Sequence, residues 1–537
     1  MAFAKFIAFS FFVFFIFPLQ NAYPEIRISQ IHINNKNVFD STKREWFFAA
    51  PLANSIHVTT KKYLIEDELL FAEDDFLDWY DLEENERNLR ATGLFTYVSI
   101  IADSVNDILS DVIITTQDKW TTNPSILFGT GGNANNIGLR LEELNLAGTG
   151  TKIFVEGFYR TENKTGWQGA AGLFQRRLFR SEYALDANIL SNKYRTEQNL
   201  SFYKPYRTQR TIYSYGISGE NSFGSDFRFS ADTFEMMPFH NRKINAWFSR
   251  AWLKDDRVFA TAFLELDDVE RGKKEYERAF DNSGKILIAF SSIAEDYIKT
   301  TKLNHFQTED VPIGGWGTAI LGKTFAIGSK GESLYYVAAQ GEKSYVTGNF
   351  YLFGQLSGAS GFKGSEGKYT YEEFYGTAFY RLSNIFLLAG RIRQQSVWNW
   401  NKGRQLILDN NSGLRGYSVN KLQGDNRFVA NFEVRSFPDF HLWIFNIGAV
   451  AFYDVGSAWR QKTAITEARW HNSAGIGFRI QNMKDTGANS LFRIDFAYNF
   501  DERKMGEIIF TSDQLFSVFG KHIFKLPQIF GQEFDYE

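Results

Sequence analysis

The sequence predicts a mainly β protein: a transmembrane antiparallel β-barrel of about 16 strands, preceded by one small β-α-α-β-β domain. Aromatic residues make up 17% of the 537 residues, and 43 Gly stand against only 9 Pro, a composition that favours pleated sheets. After Trp120 an alternation of apolar and polar residues continues for about 400 residues. Helical periodicity is confined to the segment before it.

Composition also excludes several classes of protein. The mean hydropathy is -0.30, and beyond the N-terminus no stretch has the roughly 18 apolar residues that a membrane-spanning helix needs. The chain has no Cys, which excludes a disulfide framework, a thiolate metal site and a cysteine nucleophile. The seven His are scattered without the spacing of a zinc-binding helix, so no metal site is expected.

The formal charge is unevenly distributed along the chain. Residues 24–118 carry -10 and residues 119–537 carry +6. An acidic module followed by a mildly basic one argues against nucleic acid as a partner of the N-terminal part.

Residues 1–22 are expected to be a signal peptide. Lys5 precedes an apolar run from Phe6 to Phe17, and polar Gln20 and Asn21 follow it. Twelve positions are the length of a signal-peptide core and too few to span a bilayer. An uncleaved anchor is the alternative.

Residues 23–119 are predicted to form a compact domain that contains both strands and helices. Ile26 to Ile33 alternates as a strand does, and two helical stretches follow. The second opens at Asp81, with Glu84 three residues later as in a capping box, and stops at Gly93. Two further strands, from Tyr97 and from Asp111, complete the order β-α-α-β-β.

Residues 120–519 are predicted to form the barrel, because each of their strands has one continuously apolar face. In LFRIDFAYNF, from Leu491, one face holds only Phe, Ile and Tyr, whereas Arg493 and Asp495 lie on the other. RVFATAFLEL, from Arg257, and FVANFEV, from Phe428, follow the same rule. Charged residues inside such strands are costly unless they face a polar interior.

The predicted strand number comes from the spacing of the turns. At about 25 residues per strand with its loop, this region provides about 16 strands, and lipid demands that such a sheet be closed. The alternative is a soluble β-sandwich or propeller array, which has no blade-length repeat to support it. A last strand is predicted from Gly506 and includes Phe516; residues 520–537 follow as a C-terminal extension.

Five motifs in order resemble the BamA/TamA (outer-membrane protein 85) superfamily. A β-α-α-β-β module between a signal peptide and a barrel is similar to the POTRA domain of that family. The motifs are IGLRLEELNLAGTG from Ile137, LRGY (Leu414–Tyr417) with GDNRFVANFEVR after it, FYDVGSAW from Phe452, GIGFRI from Gly475 and FRIDFAY from Phe492.

The resemblance implies a 16-strand barrel whose LRGY loop, Leu414, Arg415, Gly416 and Tyr417, folds into the lumen. Arg415 should then meet Asp454, with Asp495 as a second partner. A guanidinium pairs bidentately with a carboxylate, which a lysine does not reproduce.

Simpler interpretations of these residues stay open. From the LRGY tetrapeptide alone, Arg415 could be interpreted as an ordinary arginine of a surface loop. Asp454 and Asp495 could be interpreted as lumen residues that contact only water. Arg479 and Arg493 are further lumen candidates that line the interior without a specific role.

Two other patterns are interpreted as coincidences. GTAILGKT, Gly317 to Thr324, matches a phosphate-binding loop, but no helix is predicted after its lysine, so we expect a barrel strand or turn. Neighbouring acids such as Glu142 and Glu143 point to opposite faces of a strand and are not a catalytic pair. No enzymatic activity is expected.

Two functions are compatible with the sequence. The first, implied by the resemblance, is an assembly or translocation factor in the bacterial outer membrane whose periplasmic POTRA module binds unfolded client strands, which the barrel then inserts or exports. Its partners would be outer-membrane or secreted clients and membrane lipid, with periplasmic chaperones or accessory lipoproteins as further partners; no nucleic acid and no cofactor are expected. The alternative is a passive pore or solute channel.

Overall fold

Two units make up the chain, Met1–Lys119 and Trp120–Glu537. The computed structural model describes residues 26–39, 50–208, 210–230, 233–252, 256–306, 308–328, 331–400, 402, 404–442, 445–482, 491–506, 508–512, 514–518 and 524–531. The predicted signal peptide, residues 1–22, lies outside these ranges, as does the predicted C-terminal extension except for residues 524–531.

The first unit is a three-stranded mixed sheet with helical segments. Its elements are β1 (Arg27–Lys36), α1 (Ala50–Ile56), α2 (Lys62–Glu66), α3 (Trp79–Ala91), β2 (Phe95–Ser104) and β3 (Leu109–Asp118). The sheet order is β1-β3-β2, with β1 parallel and β2 antiparallel to the central β3. The described residues thus contain three helical segments where the sequence predicted two.

Local sequence explains the ends of α3. The Asp78 side chain accepts a hydrogen bond from the Tyr80 amide, so the helix begins two residues earlier than the predicted Asp81. It ends just before Gly93, whose φ of +74° suits a residue without a Cβ. The core of this unit is apolar and fully buried, and includes Ile65, Leu89 and Val112.

The second unit contains the remaining strands. They are β4 (Thr122–Gly131), β5 (Ala134–Leu146), β6 (Thr151–Arg160), β7 (Gly166–Gln175), β8 (Ala184–Asn192), β9 (Arg195–Lys204), β10 (Tyr213–Ser230), β11 (Thr233–Trp252), β12 (Arg257–Arg271), β13 (Ser283–Thr301), β14 (Thr308–Ala326), β15 (Leu334–Thr347), β16 (Phe350–Lys363), β17 (Glu366–Arg381), β18 (Phe386–Trp398), β19 (Leu406–Leu408), β20 (Leu422–Gly424), β21 (Asn426–Ser436), β22 (His441–Leu442), β23 (Phe445–Trp459), β24 (His471–Asn482), β25 (Leu491–Asn499), β26 (Lys504–Met505) and β27 (Ile509–Ser512). Single 3-10 turns lie at Glu162–Lys164, Leu178–Arg180, Lys274–Tyr276 and Ile465–Glu467.

These strands close into an antiparallel barrel of 20 strands across the described residues, so the predicted number of about 16 is wrong. The two-residue strands β22 and β26 only extend hairpins, and β19 pairs with β20 apart from the wall. The estimate failed because it assumed long connections. Several hairpins turn in two residues, as at Gly132 and Asn133, both with positive φ.

The two faces of the wall are as predicted from the alternation. In β21 and β25 the charged side chains lie on the buried inner face; in β12 Arg257 and Asp267 do so, whereas Asp268 and Glu270 near the end of the strand are exposed. Large apolar side chains remain exposed on the outside; examples are Ile126, Leu139, Phe290, Leu356 and Ile476. An apolar exterior around a polar interior is the pattern of a barrel that spans a membrane.

The phosphate-loop-like sequence Gly317 to Thr324 lies within β14, which confirms the interpretation as a barrel strand. In the part of the chain that the structure describes, no helix is both long and apolar enough to cross a membrane.

Candidate functional site

The LRGY sequence lies in a long connection between β18 and β21. We call residues 409–420 the lumen loop. Its side chains contact the inward-facing residues of β21, β23 and β25. Leu414 is fully buried in an apolar cluster with Leu408 and Val429. The loop therefore enters the barrel interior.

Arg415 is the centre of the site and is completely buried. Its guanidinium holds Asp454 bidentately, with Nε 2.7 Å from Oδ2 and Nη2 2.8 Å from Oδ1. Nη1 donates to Glu433 Oε1 at 2.8 Å and to Asp495 Oδ2 at 3.2 Å. The guanidinium carbon also lies 3.5 Å from the centre of the Phe452 ring. Charge-assisted and cation–π contacts are strong where water is excluded.

Two of these carboxylates have arginine partners of their own. Glu433 accepts from Arg435 Nε at 2.7 Å. Asp495 accepts from Arg479 Nη1 at 2.6 Å, and Arg493 Nε lies 3.5 Å from the same carboxylate.

We call these seven residues the lumen ion cluster: Arg415, Glu433, Arg435, Asp454, Arg479, Arg493 and Asp495. Within it four guanidinium groups face three carboxylates, so the described cluster carries one net positive charge. Asp454 differs from the other two carboxylates. Within the cluster it forms an ion pair with Arg415 alone, whereas Glu433 and Asp495 are each paired with another arginine as well. The Asn431 amide also donates to Asp454 Oδ1, at 2.7 Å. Removing Arg415 would therefore leave the Asp454 carboxylate buried without a directly paired cation, which is costly.

The sequence of the lumen loop explains its shape. Asp409 accepts hydrogen bonds from the amides of Ser412 and Asn420 at 3.0 and 2.8 Å, and its carbonyl accepts from the Leu414 amide at 2.8 Å. These hydrogen bonds close the loop on itself on both sides of Arg415.

Tyr417 anchors the other end of the LRGY sequence. Its hydroxyl lies 3.1 Å from both the Asn472 carbonyl oxygen and the Asp501 carboxylate. Burial, together with the Asp501 charge, raises the pKa of Tyr417 above its ordinary value, so the phenol stays a neutral donor.

Gly416 fits where a side chain would not. Its φ is +83°, and a Cβ would lie 3.0 Å from the Ala497 Cβ. We expect Gly416→Ala to destabilise the barrel by about 1–2 kcal/mol, because it combines left-handed strain with a close contact. Urea unfolding in liposomes measures this. Gly157→Ala in β6, with open space around the new methyl and an ordinary φ, is the matched control and should change little; equal unfolding midpoints for both variants would contradict the argument.

The structure thus brings together Arg415, Asp454, Asp495, Arg479 and Arg493, all named from the sequence. Glu433, Arg435 and Phe452 were missed as members of the site. A signal for Glu433 and Arg435 was present, because both occupy inward positions of a strand whose other face is apolar from Phe428 to Val434. Their distance from Arg415 depends on the fold of the loop, which the alternation does not reveal.

The barrel closes at a short seam close to this cluster. Among the residues that the structure describes, β27 pairs with β4 only at Phe510↔Thr130. By comparison, the ladder of β10 and β11 runs from Tyr213↔Arg250 to Ser230↔Thr233. The rings of Phe510 and Phe128 meet edge to face across the seam at 5.0 Å.

The lumen loop contacts both sides of this seam. On the C-terminal side, Arg415 holds β23 and β25, and the Gly416 carbonyl accepts from Asn499 at 3.1 Å. On the N-terminal side, the Val419 amide donates to the Gly132 carbonyl at 2.8 Å in the first hairpin. Asn420 donates to Glu162 at 3.1 Å. The loop therefore joins two strands between which the described residues of the wall form one residue pair.

Among the described residues no group of three or more His, Asp or Glu side chains is arranged to hold a metal ion. The three carboxylates of the ion cluster are occupied by arginines.

Comparisons with known proteins found structural neighbours only. No protein-family model matches the chain, and no curated protein matches it. The structure is similar to BamA from Haemophilus ducreyi lacking POTRA domains 1-3, with 12% identity and a TM-score of 0.46 over 90% of this chain and 84% of the other. It is also similar to CdiB from Escherichia coli (12% identity, TM-score 0.44, 91% and 76% covered) and to CdiB from Acinetobacter baumannii (12%, 0.42, 91% and 74%). BamA and CdiB barrels are thus among the structural neighbours of this chain, each at 12% sequence identity.

Proposed function

We propose that this protein is a non-enzymatic assembly or translocation factor of the bacterial outer membrane. In this proposal the first unit is a single POTRA-like module in the periplasm that binds unfolded client strands. The barrel inserts the clients into the membrane or exports them. The free energy comes from the folding of the clients, and no cofactor takes part. Membrane lipid and periplasmic chaperones or accessory lipoproteins are the further partners.

The seam between β27 and β4 is the observation that carries the proposal. Lipid offers no hydrogen bonds to an open strand edge, so a membrane barrel normally pairs every strand along its length. Among the described residues one residue pair closes the seam, so few backbone hydrogen bonds have to break for the seam to open. Once open, the edge of β4 would present unpaired amide and carbonyl groups to a client strand.

The lumen loop supports an opening that is controlled. It joins both sides of the seam through hydrogen bonds that are buried or partly buried, so it acts as a clasp inside the wall. The clasp depends on the Arg415 ion pairs, because they are its strongest attachment to the C-terminal strands. Breaking these pairs releases one side of the seam.

The first unit offers an edge for the initial capture of clients. β2 is an edge strand, since β3 is its only neighbour among the strands that the structure describes. The Ile100 amide donates to the Glu86 carboxylate at 3.2 Å, and therefore points away from β3. In an antiparallel strand alternate residues share a side, so the amides of Val98 and Ala102 point to the same open edge.

Ala102→Pro is expected to weaken client binding while the sheet remains intact. Proline removes an amide on the open edge and leaves the ladder with β3 in place. Crosslinking of an unfolded client peptide to the purified protein measures the effect. Ala102→Val, which keeps the amide, is the matched control and should bind as the unchanged protein does. Equal crosslinking by the proline variant would exclude β2 as the capture edge.

Depletion of the protein in its native cell, followed by quantification of the outer-membrane proteome, tests the proposed function as a whole. Broad loss of other barrels would support assembly, and loss of a single secreted protein would support dedicated export. An unchanged proteome with altered solute uptake would overturn the proposal in favour of a passive pore. Complementation with the unchanged gene is the control.

A further inference from the structure

The chain returns to the barrel interior after its last strand. The predicted terminal strand, with Phe516 on it, is wrong in its extent, because β27 ends at Ser512. Phe516 is buried in the lumen, where the Arg435 guanidinium lies 4.7 Å from its ring centre and donates to its carbonyl at 2.8 Å. The Gln514 side chain accepts from Arg479 at 2.8 Å. Residues 514–518 are thus attached to the lumen ion cluster.

Residues 524–531 contact a different part of the inner wall. The Phe524 ring lies 5.0 Å from Tyr206 and 5.3 Å from Phe259 of β12. Lys525 forms an ion pair of 2.9 Å with Glu342 of β15 and lies 4.4 Å from the Trp316 ring centre.

The contacts continue to the end of the described residues. The Phe530 amide donates to the Tyr336 hydroxyl at 2.8 Å, and Arg404 donates to the Gly531 carbonyl. Gly531 packs against the ring of Tyr371 in β17. Tyr336 and Glu342 alternate with exposed neighbours along β15, so both face inward.

We call residues 514–518 and 524–531 the luminal tail. Its two pieces contact strands around a large part of the ring. In the ring of strands, β24, which carries Arg479, and β12, which carries Phe259, are separated by eight strands in one direction and ten in the other. Residues 514–518 also reach Asn304, between β13 and β14, and Phe379 of β17. The described residues of the tail are therefore attached to distant parts of the inner wall.

We propose that the luminal tail is a resident plug, and that the inner wall of β12–β17, together with Tyr206 from the connection between β9 and β10, is a peptide-binding groove for it. The groove has an aromatic site, Tyr206 with Phe259, and beside it a cation site formed by Glu342 and Trp316. A peptide with adjacent aromatic and basic side chains matches this chemistry, as Phe524 and Lys525 do. The plug closes the lumen to solutes in the resting barrel.

This inference goes beyond the proposed function and does not depend on it, because closure to ions requires no client. It adds a mechanical connection, since the plug is the direct continuation of β27, the strand at the seam. Movement of β27 away from β4 pulls on the same segment that fills the lumen.

Ion conductance in planar lipid bilayers tests the plug. A chain that ends after Val518 keeps the attachment to Arg435 and Arg479 but lacks the residues held in the groove. It is expected to conduct several-fold more than the full chain. A synthetic peptide of residues 519–537, added to the shortened protein, should reduce the current again, and a scrambled peptide should not. Equal conductance of the two chains would overturn the plug, and a current insensitive to the peptide would overturn the groove.

A charge exchange provides a second test in the full chain. Lys525→Glu places two carboxylates against each other and should raise the conductance, whereas Lys525→Glu combined with Glu342→Lys should return it to the original level. If Lys525→Glu leaves the current unchanged, the groove does not hold the tail. If the shortened protein fails to fold, this pair of variants still decides the question.

Discussion

A disulfide between Thr130→Cys and Phe510→Cys is expected to abolish client assembly, and its reduction is expected to restore it. The two positions form the residue pair recorded between β27 and β4. Directly opposed residues of antiparallel strands have Cα atoms about 4.5–5.5 Å apart, within the range that a disulfide spans. The natural chain has no Cys, so the introduced pair is the only one that oxidation can join. Assembly of outer-membrane proteins is measured in a depleted strain that carries the variant, with and without reductant.

The matched control is Ser218→Cys with Asn245→Cys, a directly opposed pair within the long ladder of β10 and β11. This disulfide joins strands that stay paired, so assembly should proceed whether it is oxidised or reduced. Normal assembly by the oxidised seam variant would show that the seam does not open during the reaction. The proposed route for clients would then be wrong.

Arg415→Ala is expected to leave a folded barrel that no longer assembles clients. The substitution removes every ion pair between the lumen loop and the wall at β21, β23 and β25 among the described residues. Removing one partner of a buried ion pair costs about 3–5 kcal/mol. The long ladders elsewhere keep the wall closed, but the clasp across the seam is lost. Complementation of a depleted strain measures activity, and heat-modifiable electrophoretic mobility measures folding.

Two further variants and one control show why activity is lost. Arg415→Lys keeps the charge without the forked geometry and should also fail, whereas Arg460→Ala, at an exposed arginine, should behave as the unchanged protein. In Arg415→Ala with Asp454→Asn, the carboxylate left without a cation is neutralised, while Glu433 and Asp495 keep Arg435 and Arg479. We expect this double variant to recover stability but not activity. Recovery of both would show that Arg415 only stabilises the barrel.

The alternation of side chains was sufficient to assign the faces of the wall. Arg493 and Asp495 were placed inside from the alternation alone, because successive residues of a strand point to opposite sides whatever the rest of the fold does. The position of Asp454, and the pairing of Arg415 with Asp454 and Asp495, came from the resemblance of the LRGY, FYDVGSAW and FRIDFAY sequences, not from spacing. The structure brings these three residues into contact.

Four features were decided only by the tertiary structure. They are the number of barrel strands, the short seam between β27 and β4, the further partners of Arg415 and the position of the luminal tail. Closure at 20 strands depends on the length of every turn along the unit, so a small error in each accumulates. Glu433 and Arg435 join the site because the lumen loop folds back over β21, and no local pattern encodes that distance. Phe516 was predicted to be a strand residue, because the sequence from Gly506 to Phe516 alternates as a strand does. It lies in the lumen instead because Arg435 and the surrounding apolar cluster of the inner wall bind it there, at contacts distant in sequence.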